Sequence, residues 1–242
     1  MHIVIFTGGE SPEPEFTEKF FSWAGSPSLT VAADSGLDTL ELYAGFFGRE
    51  YFSPGIIIGD MDSISDRKLL EKYPHAQIME SPADKDFSDT ELALFQSAKE
   101  RKTYRDIITL VGGNGGRADH FIGIYETFAS DAHADFWICG KQLAVRLGDG
   151  GFLSAGGLGK TDVISAARIP SFYDSGTLET EGLEWGTGAM RRKGMPSLSN
   201  RISKISLEKS LPVTFTARDA GFLVFLPLGC KIEKFSPGKN LP

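Results

Sequence analysis

Short apolar runs that stop abruptly at glycine or aspartate constrain this chain more than any other feature. His2 to Phe6 (HIVIF) runs into Thr7-Gly8-Gly9, and Leu29 to Ala33 (LTVAA) stops at Asp34. The isoleucines of Gly55 to Gly59 (GIIIG) stop at Asp60-Met61-Asp62-Ser63. Asp106 to Gly113 (DIITLVGG) opens into Asn114-Gly115-Gly116-Arg117, and Asp135 to Cys139 (DFWIC) reads as a fifth run. Runs that are apolar throughout suit strands buried on both faces. Helical patterns fall between them, over about Pro14 to Trp23, Asp89 to Lys102 and Ala118 to Ser130. Strands alternating with helices predict an α/β domain with a mostly parallel, helix-covered sheet.

After about Gly140 the pattern changes to period two. Val163 to Ile169, Thr177 to Trp185, Lys204 to Glu208, Val213 to Ala217 and Phe222 to Leu226 read as strands, with glycine and proline between them. That spacing predicts an all-β sandwich or barrel. The expected division is 1–140 and 141–242.

Composition narrows the classes. At 41% hydrophobic and 24% charged, the chain is built to bury a core rather than stay disordered. A formal net charge of −7 leaves no overall basic footprint for nucleic acid. Cys139 and Cys230 form no CxxC, which argues against a zinc site or a disulfide framework. The first ten residues lack a basic region and their apolar run is too short for a signal peptide, and no run approaches a membrane span. A cytoplasmic protein without membrane or nucleic-acid partners is expected.

In an open parallel sheet, ligands bind beyond the carboxyl ends of the strands. Asp after a strand is ordinarily a turn residue, but four polar or glycine-rich endings would share one edge here. Ser88 and Glu91 form a capping-box pattern, so a helix should start at Asp89. One acid in its first turn would serve the helix dipole. Lys85, Asp86 and Asp89 within five positions exceed that need, and a bound cation or metal–phosphate complex would relieve the repulsion of Asp86 and Asp89. In the Gly112 to His120 stretch, glycine amides can approach phosphate oxygens, and Arg117 adds a forked cation. Asp119 and His120 would sit at the following helix N-terminus, which favours anions. Gly113-x-Gly115-x-x-Ala118 mimics a dinucleotide fingerprint but lacks an acid after the next strand, and no Gly-Lys-Ser/Thr follows to make a P-loop. Taken alone, Gly182 to Trp185 (GLEW) reads as a turn beside a core tryptophan, and Pro196 to Asn200 (PSLSN) as a loop.

Together these residues resemble the thiamine pyrophosphokinase (thiamine diphosphokinase) family. Its G-D-x-D-S motif is matched by Gly59-Asp60-Met61-Asp62-Ser63, and its [KQ]-D-x-T-D motif by Lys85-Asp86-Phe87-Ser88-Asp89. Its G-G-x-x-G-R-x-D-H motif is matched by Gly112 to His120. Leu198 to Asn200 resembles the family's vitamin-binding S-N element, Gly182 to Trp185 its G-L-x-[YW] element, and Val163 to Pro170 the strand that opens its β-domain. The chain departs from the family at Ser35, where A-D-G-G is usual, and at Ser88, where threonine is preferred. Its insert between Trp185 and Ser197, with Arg191, Arg192 and Lys193, does not align.

The resemblance implies a homodimer whose sites combine the α/β domain of one subunit with the β-domain of the other. It implies transfer of the diphosphate of ATP to the hydroxyethyl group of thiamine, giving thiamine diphosphate and AMP with Mg²⁺. Under that reading Asp60, Asp62 and Asp89 hold the metal, while Lys85 and Arg117 hold the migrating diphosphate. Gly9, Gly112, Gly113, Gly116, Asp119 and His120 attend the nucleotide, and Asp34 contacts the nucleotide or the metal. Trp185, Ser197, Ser199 and Asn200 bind thiamine. Two alternatives share most of these features: a pyrophosphokinase for another alcohol such as a hydroxymethyl-pterin, and a non-catalytic thiamine or nucleotide sensor.

Overall fold

Strand β1 (His2–Phe6) is wholly buried and leads through a 3-10 turn (Pro14–Thr17) into helix α1 (Glu18–Ala24). Then follow β2 (Leu29–Ala33), α2 (Gly36–Phe47), β3 (Ile56–Gly59), a second 3-10 turn (Arg67–Lys72) and β4 (Gln77–Glu80). Helix α3 (Asp89–Glu100), β5 (Ile107–Val111), α4 (Ala118–Thr127) and β6 (Phe136–Cys139) complete the first of two compact units, residues 1–140 and 141–242. The computed structural model describes residues 1–82, 86–103, 105–170, 176–186 and 197–239. Among these, no helix is long and apolar enough to cross a membrane.

The strands of the first unit run in the order β6-β5-β1-β2-β3-β4, and every pair is parallel. All their carboxyl ends therefore lie on one edge. The chain leaves β1 toward β2, β3 and β4 on one side, then returns to place β5 and β6 on the other. The switch point lies between β1 and β5, where an open sheet of this kind leaves a crevice. An aromatic cluster packs one face of the sheet: Phe6 meets Tyr43 at 5.1 Å and Phe52 at 5.3 Å between ring centroids, and Phe21 meets Phe52 at 5.1 Å.

Helix α2 and strand β4 are absent from the sequence reading. Helix α2 buries Leu37, Leu40, Tyr43 and Ala44, a spacing for one helical stripe, but glycines at 36 and 45 obscure it. Gly36 has to be glycine, because a Cβ there would stand 2.1 Å from the Phe6 carbonyl oxygen. Strand β4 is an edge strand with mostly exposed side chains, so it carries no apolar run.

The second unit is antiparallel throughout. Its strands are β7 (Gln142–Leu147), β8 (Phe152–Gly156), β9 (Ile164–Arg168), β10 (Thr177–Glu181), β11 (Ser197–Asn200), β12 (Val213–Arg218), β13 (Phe222–Pro227) and β14 (Lys231–Ser236). Four pair in the order β11-β9-β13-β7 and four in the order β10-β12-β8-β14. Along β12, Val213, Phe215 and Ala217 point inward in alternation.

One expected strand is corrected. Lys204 to Glu208 forms a short helix, α5, with Ser203 as its N-cap accepting from the Ser206 N–H at 3.1 Å. A strand would have buried Ile205 together with Leu207. Instead Ile205 is 64% exposed and Ser206 is buried. Five residues are too few for the period to discriminate, and the serine cap decides. Pro196 to Asn200, read alone as a loop, contains the edge strand β11.

Candidate active site at the parallel strand ends

A cavity of about 650 Å³ opens over the carboxyl edge of the first unit's sheet. It is lined by the turns after β1, β2, β3 and β5 and by the first turns of α3 and α4. Strand polarity brings these segments together although more than a hundred residues separate Thr7 from His120.

Three carboxylates meet there. Asp34, Asp60 and Asp89 each offer an oxygen within 4.8 Å of the others, and each side chain is half-buried. Asp34 follows β2 in a left-handed backbone conformation (φ 46°), with its N–H bonded to the Ile58 carbonyl at 2.9 Å. Its Oδ1 is buried and makes no hydrogen bond. Burial raises its carboxyl above the usual carboxylate range, opposed by hydrogen bonds from Ser35 and Ser63 and helped by the charge of Asp89. Asp60 follows β3, and its Oδ1 accepts the Asp62 N–H at 3.3 Å. Asp89 opens α3 behind the predicted capping box. Ser88 Oγ accepts the Glu91 N–H at 3.3 Å, and Glu91 accepts the Ser88 N–H at 2.8 Å.

Gly59 makes this convergence possible. Its φ is 145°, and a Cβ would stand 3.1 Å from both Asp34 Cβ and Asp89 Cγ. Like charges at such separations repel by about 1–3 kcal/mol per pair, depending on how much water screens them. An oxygen-ligated divalent cation fits the donor set. It would convert that repulsion into binding and give the orphaned Asp34 oxygen a partner.

The sequence reading grouped Asp60, Asp62 and Asp89 as ligands and left Asp34 to the nucleotide or the metal. The structure gathers Asp34 with Asp60 and Asp89. Asp62 lines the same cavity but is exposed and accepts from Ser63 Oγ at 2.7 Å. Between the two, Met61 is fully buried at φ 60° and pins the loop. Asp86 is exposed and does not border the cavity. Lys85 lies outside the described residues.

The glycine turns after β1 and β5 are sewn together. Gly113 N–H donates to the Gly8 carbonyl at 2.8 Å, and Glu10 N–H to the Asn114 carbonyl at 2.6 Å. Asn114 Nδ2 donates to Glu10 Oε2 at 3.0 Å. Gly9, Gly113 and Gly116 face the cavity, while Gly112 lies beneath them with its N–H on the Ile138 carbonyl at 3.0 Å. Arg117 precedes α4, and its guanidinium grips the Asp119 carboxylate through Nε at 3.2 Å and Nη2 at 2.6 Å. That hydrogen-bonded cation pulls the Asp119 carboxyl down to about 2. Arg117, Asp119 and His120 are exposed and border the cavity. The sequence reading missed Thr7 and Thr90, whose hydroxyls meet at 2.6 Å and tie the end of β1 to the helix bearing Asp89. Adjacency of each to a motif was the available signal.

In the second unit, Trp185 is 43% exposed, with the Arg201 guanidinium 5.1 Å from its ring centroid. Ser197 is half-buried in β11, and Ser199 is exposed with its N–H on Ser165 Oγ at 3.2 Å. Asn200 is buried. Arg191, Arg192 and Lys193 lie outside the described residues.

A model of the thiamin pyrophosphokinase catalytic domain matches residues 21–138, which include β2, β3, α3, α4 and all three converging aspartates. Residues 21–138 are thus similar to the thiamin pyrophosphokinase catalytic domain. Over 122 residues the chain is 39% identical to the thiamine pyrophosphokinase of Bacillus subtilis (strain 168). That match covers 50% of this chain and 50% of the relative, so it spans about half the relative's length. The crystal structure of thiamine pyrophosphokinase from Bacillus subtilis superposes with a TM-score of 0.65 at 19% identity, covering 94% of this chain and 99% of that one. Yeast thiamin pyrophosphokinase gives 0.60 at 18% identity, covering 93% and 86%. A thiamin pyrophosphokinase family protein from Enterococcus faecalis gives 0.66 at 15%, covering 94% and 99%. At these identities the likeness is one of fold, and it extends through both the α/β and the all-β unit.

Proposed function

We propose that this chain is a thiamine diphosphokinase. It moves the diphosphate of ATP to the hydroxyethyl oxygen of thiamine, giving thiamine diphosphate and AMP. The observation that carries this reading is the convergence of Asp34, Asp60 and Asp89 on one cavity with a glycine turn and Arg117, within a segment similar to that family's catalytic domain. In the reaction, the substrate oxygen bonds to the β-phosphorus and the bridging oxygen leaves with AMP. The hydroxyl proton is released. Such a displacement needs charge neutralisation and alignment more than covalent help from the protein.

Asp34, Asp60 and Asp89 would hold Mg²⁺, and Asp62 on the same cavity would bind the ion or one of its waters. The ion, when bound, neutralises phosphate charge. The amides of Gly9, Gly113 and Gly116 approach the phosphates, with Gly112 shaping the turn beneath them. Arg117 exchanges its Asp119 partner for phosphate oxygens, and Lys85 adds a second cation. His120 and the α4 N-terminus favour the same anion. In the second unit, Trp185 offers an aromatic face to the cationic thiazolium, with Ser197 and Ser199 as polar partners. The protein acts as a homodimer in the cytoplasm, where Cys139 and Cys230 stay reduced.

Incubation with ATP, Mg²⁺ and thiamine should release AMP and thiamine diphosphate in equal amounts. Release of ADP with thiamine monophosphate would refute diphosphate transfer. Turnover of a hydroxymethyl-pterin in preference to thiamine would move the substrate assignment. Light scattering should return twice the chain mass.

A further inference from the structure

Asn200 ends the edge strand β11 and is buried, at 3% exposure. Its amide is used on backbone groups. Nδ2 donates to the Trp185 carbonyl at 2.6 Å, while Oδ1 accepts the Trp185 N–H at 3.3 Å and the Arg201 N–H at 2.9 Å. Both lone pairs of the oxygen are thereby occupied, which leaves little hydrogen-bonding capacity for anything else. The two bonds to Trp185 copy the donor–acceptor exchange of paired antiparallel residues.

The neighbouring residues continue this pairing by backbone. Leu183 and Ile202 form an antiparallel bridge, and Glu184 N–H donates to the Arg201 carbonyl at 2.9 Å. Gly182 turns the chain at φ 81°, and its carbonyl accepts the Ser203 N–H at 2.8 Å. The ladder would fray at Trp185 without the amide of Asn200. The indole it fixes is 43% exposed, and the Arg201 guanidinium covers part of it. A large aromatic held this firmly by its backbone and left this open is arranged for contact with a flat ring.

We propose that Asn200 is a positioning residue for the thiamine ring that acts through Trp185 rather than by touching the vitamin. The proposal rests on the thiamine diphosphokinase reading given above. It also reassigns Asn200, which the family resemblance offered as a residue that binds thiamine directly.

The test is a double-mutant cycle on the full chain. Asn200→Ala should raise KM for thiamine about tenfold, the worth of a lost buried hydrogen-bond pair. KM for ATP and kcat should stay within about twofold. The double variant Asn200→Ala/Trp185→Ala should bind thiamine no worse than Trp185→Ala alone, because the amide has no other route to the ligand. A double variant weakened by the product of the two single effects would overturn the proposal, as would an unchanged thiamine KM in Asn200→Ala.

Should Asn200→Ala not fold, Asn200→Asp keeps the acceptor and replaces the donor to the Trp185 carbonyl with a carboxylate oxygen that repels it. Acrylamide quenching of Trp185, read as the difference between each protein and its Trp185→Phe counterpart, should increase in Asn200→Asp without any substrate present. Unchanged quenching would overturn the proposal. If the parent protein turns over no thiamine, the activity assignment fails, and the quenching measurement alone decides whether Asn200 holds Trp185.

Discussion

In the first unit, residues from four different turns reach one cavity because six strands run the same way. In the second, Trp185 is held because a single amide on an edge strand reaches across to a turn. The first arrangement is over-determined. Asp34, Asp60 and Asp89 are each anchored by a separate buried strand or a capped helix, and the glycine turns are sewn to each other. Among the described residues, the second rests on the pairing of Gly182 to Trp185 with Asn200 to Ser203 and on the pairing of β11 with β9. Charges that repel have to be held by a rigid frame before an ion arrives, whereas an aromatic face needs only to be aimed. The two regions should therefore fail differently when altered.

The largest effect should come from the carboxylates. Asp89→Asn or Asp60→Asn should lower turnover by about 10²–10³-fold, as for loss of a group that stabilises developing charge. The same variants should raise Tm in the presence of a chelator by relieving repulsion, and should lose the Tm increase that Mg²⁺ gives the parent protein. An activity loss below tenfold would show that another group of residues holds the metal.

Acid should separate the two units next. His2 is buried, with Nδ1 on the Gly25 carbonyl at 2.9 Å and Nε2 against Thr109 Oγ1 at 3.0 Å. Burial lowers its pKa to about 4, outweighing the Gly25 hydrogen bond, which favours the charged ring. The unfolded chain, with a histidine pKa of about 6.5, takes up the proton first as pH falls. Stability is thus lost between about pH 6.5 and pH 4, by on the order of 3 kcal/mol in all, and nothing is lost above that window. All four histidines, at positions 2, 75, 120 and 133, lie in the first unit. Urea unfolding at pH 7 and pH 4.5 should show a shallower pH dependence for His2→Gln. An equal dependence would remove His2 as the cause.

Gly59→Ala should follow, with destabilisation of about 1–3 kcal/mol from the φ of 145°. Turnover should drop at least as steeply as Tm, because the new methyl pushes Asp34 and Asp89 apart. Normal kcat in a folded Gly59→Ala protein would break the link between that glycine and the cluster. The smallest effect is expected at the exposed indole. Trp185→Ala should raise KM for thiamine by about tenfold and leave KM for ATP unchanged. Loss of kcat with unchanged KM would erase the contrast between the two regions.

Much of the first unit was legible in the sequence. The strands His2 to Phe6, Leu29 to Ala33 and Ile56 to Gly59 are continuous apolar runs, and the start of α3 at Asp89 is written in Ser88 and Glu91. These signals are local and survive without tertiary context. Helix α2 was not legible, because its glycines break the apparent helix and only contact with Phe6 explains Gly36. Lys204 to Glu208 misled for the opposite reason: alternation over five residues fits a strand and a helical turn alike. Strands β7, β8 and β14 were also unread, lying among glycine-rich turns that hid their ends.

By itself, the amino-acid order determined the parallel sheet, the acids at its strand ends and the glycine–arginine turn, since period, capping and chain direction are short-range properties. Tertiary structure alone decided that Asp34 stands with Asp60 and Asp89 while Asp62 lines the cavity exposed, accepting from Ser63. It also decided that Asn200 grips the chain at Trp185 instead of facing outward. Both outcomes depend on which distant segments come to lie side by side: a buried Met61 sets the direction of two aspartates, and strand pairing brings an amide to a backbone fifteen residues away.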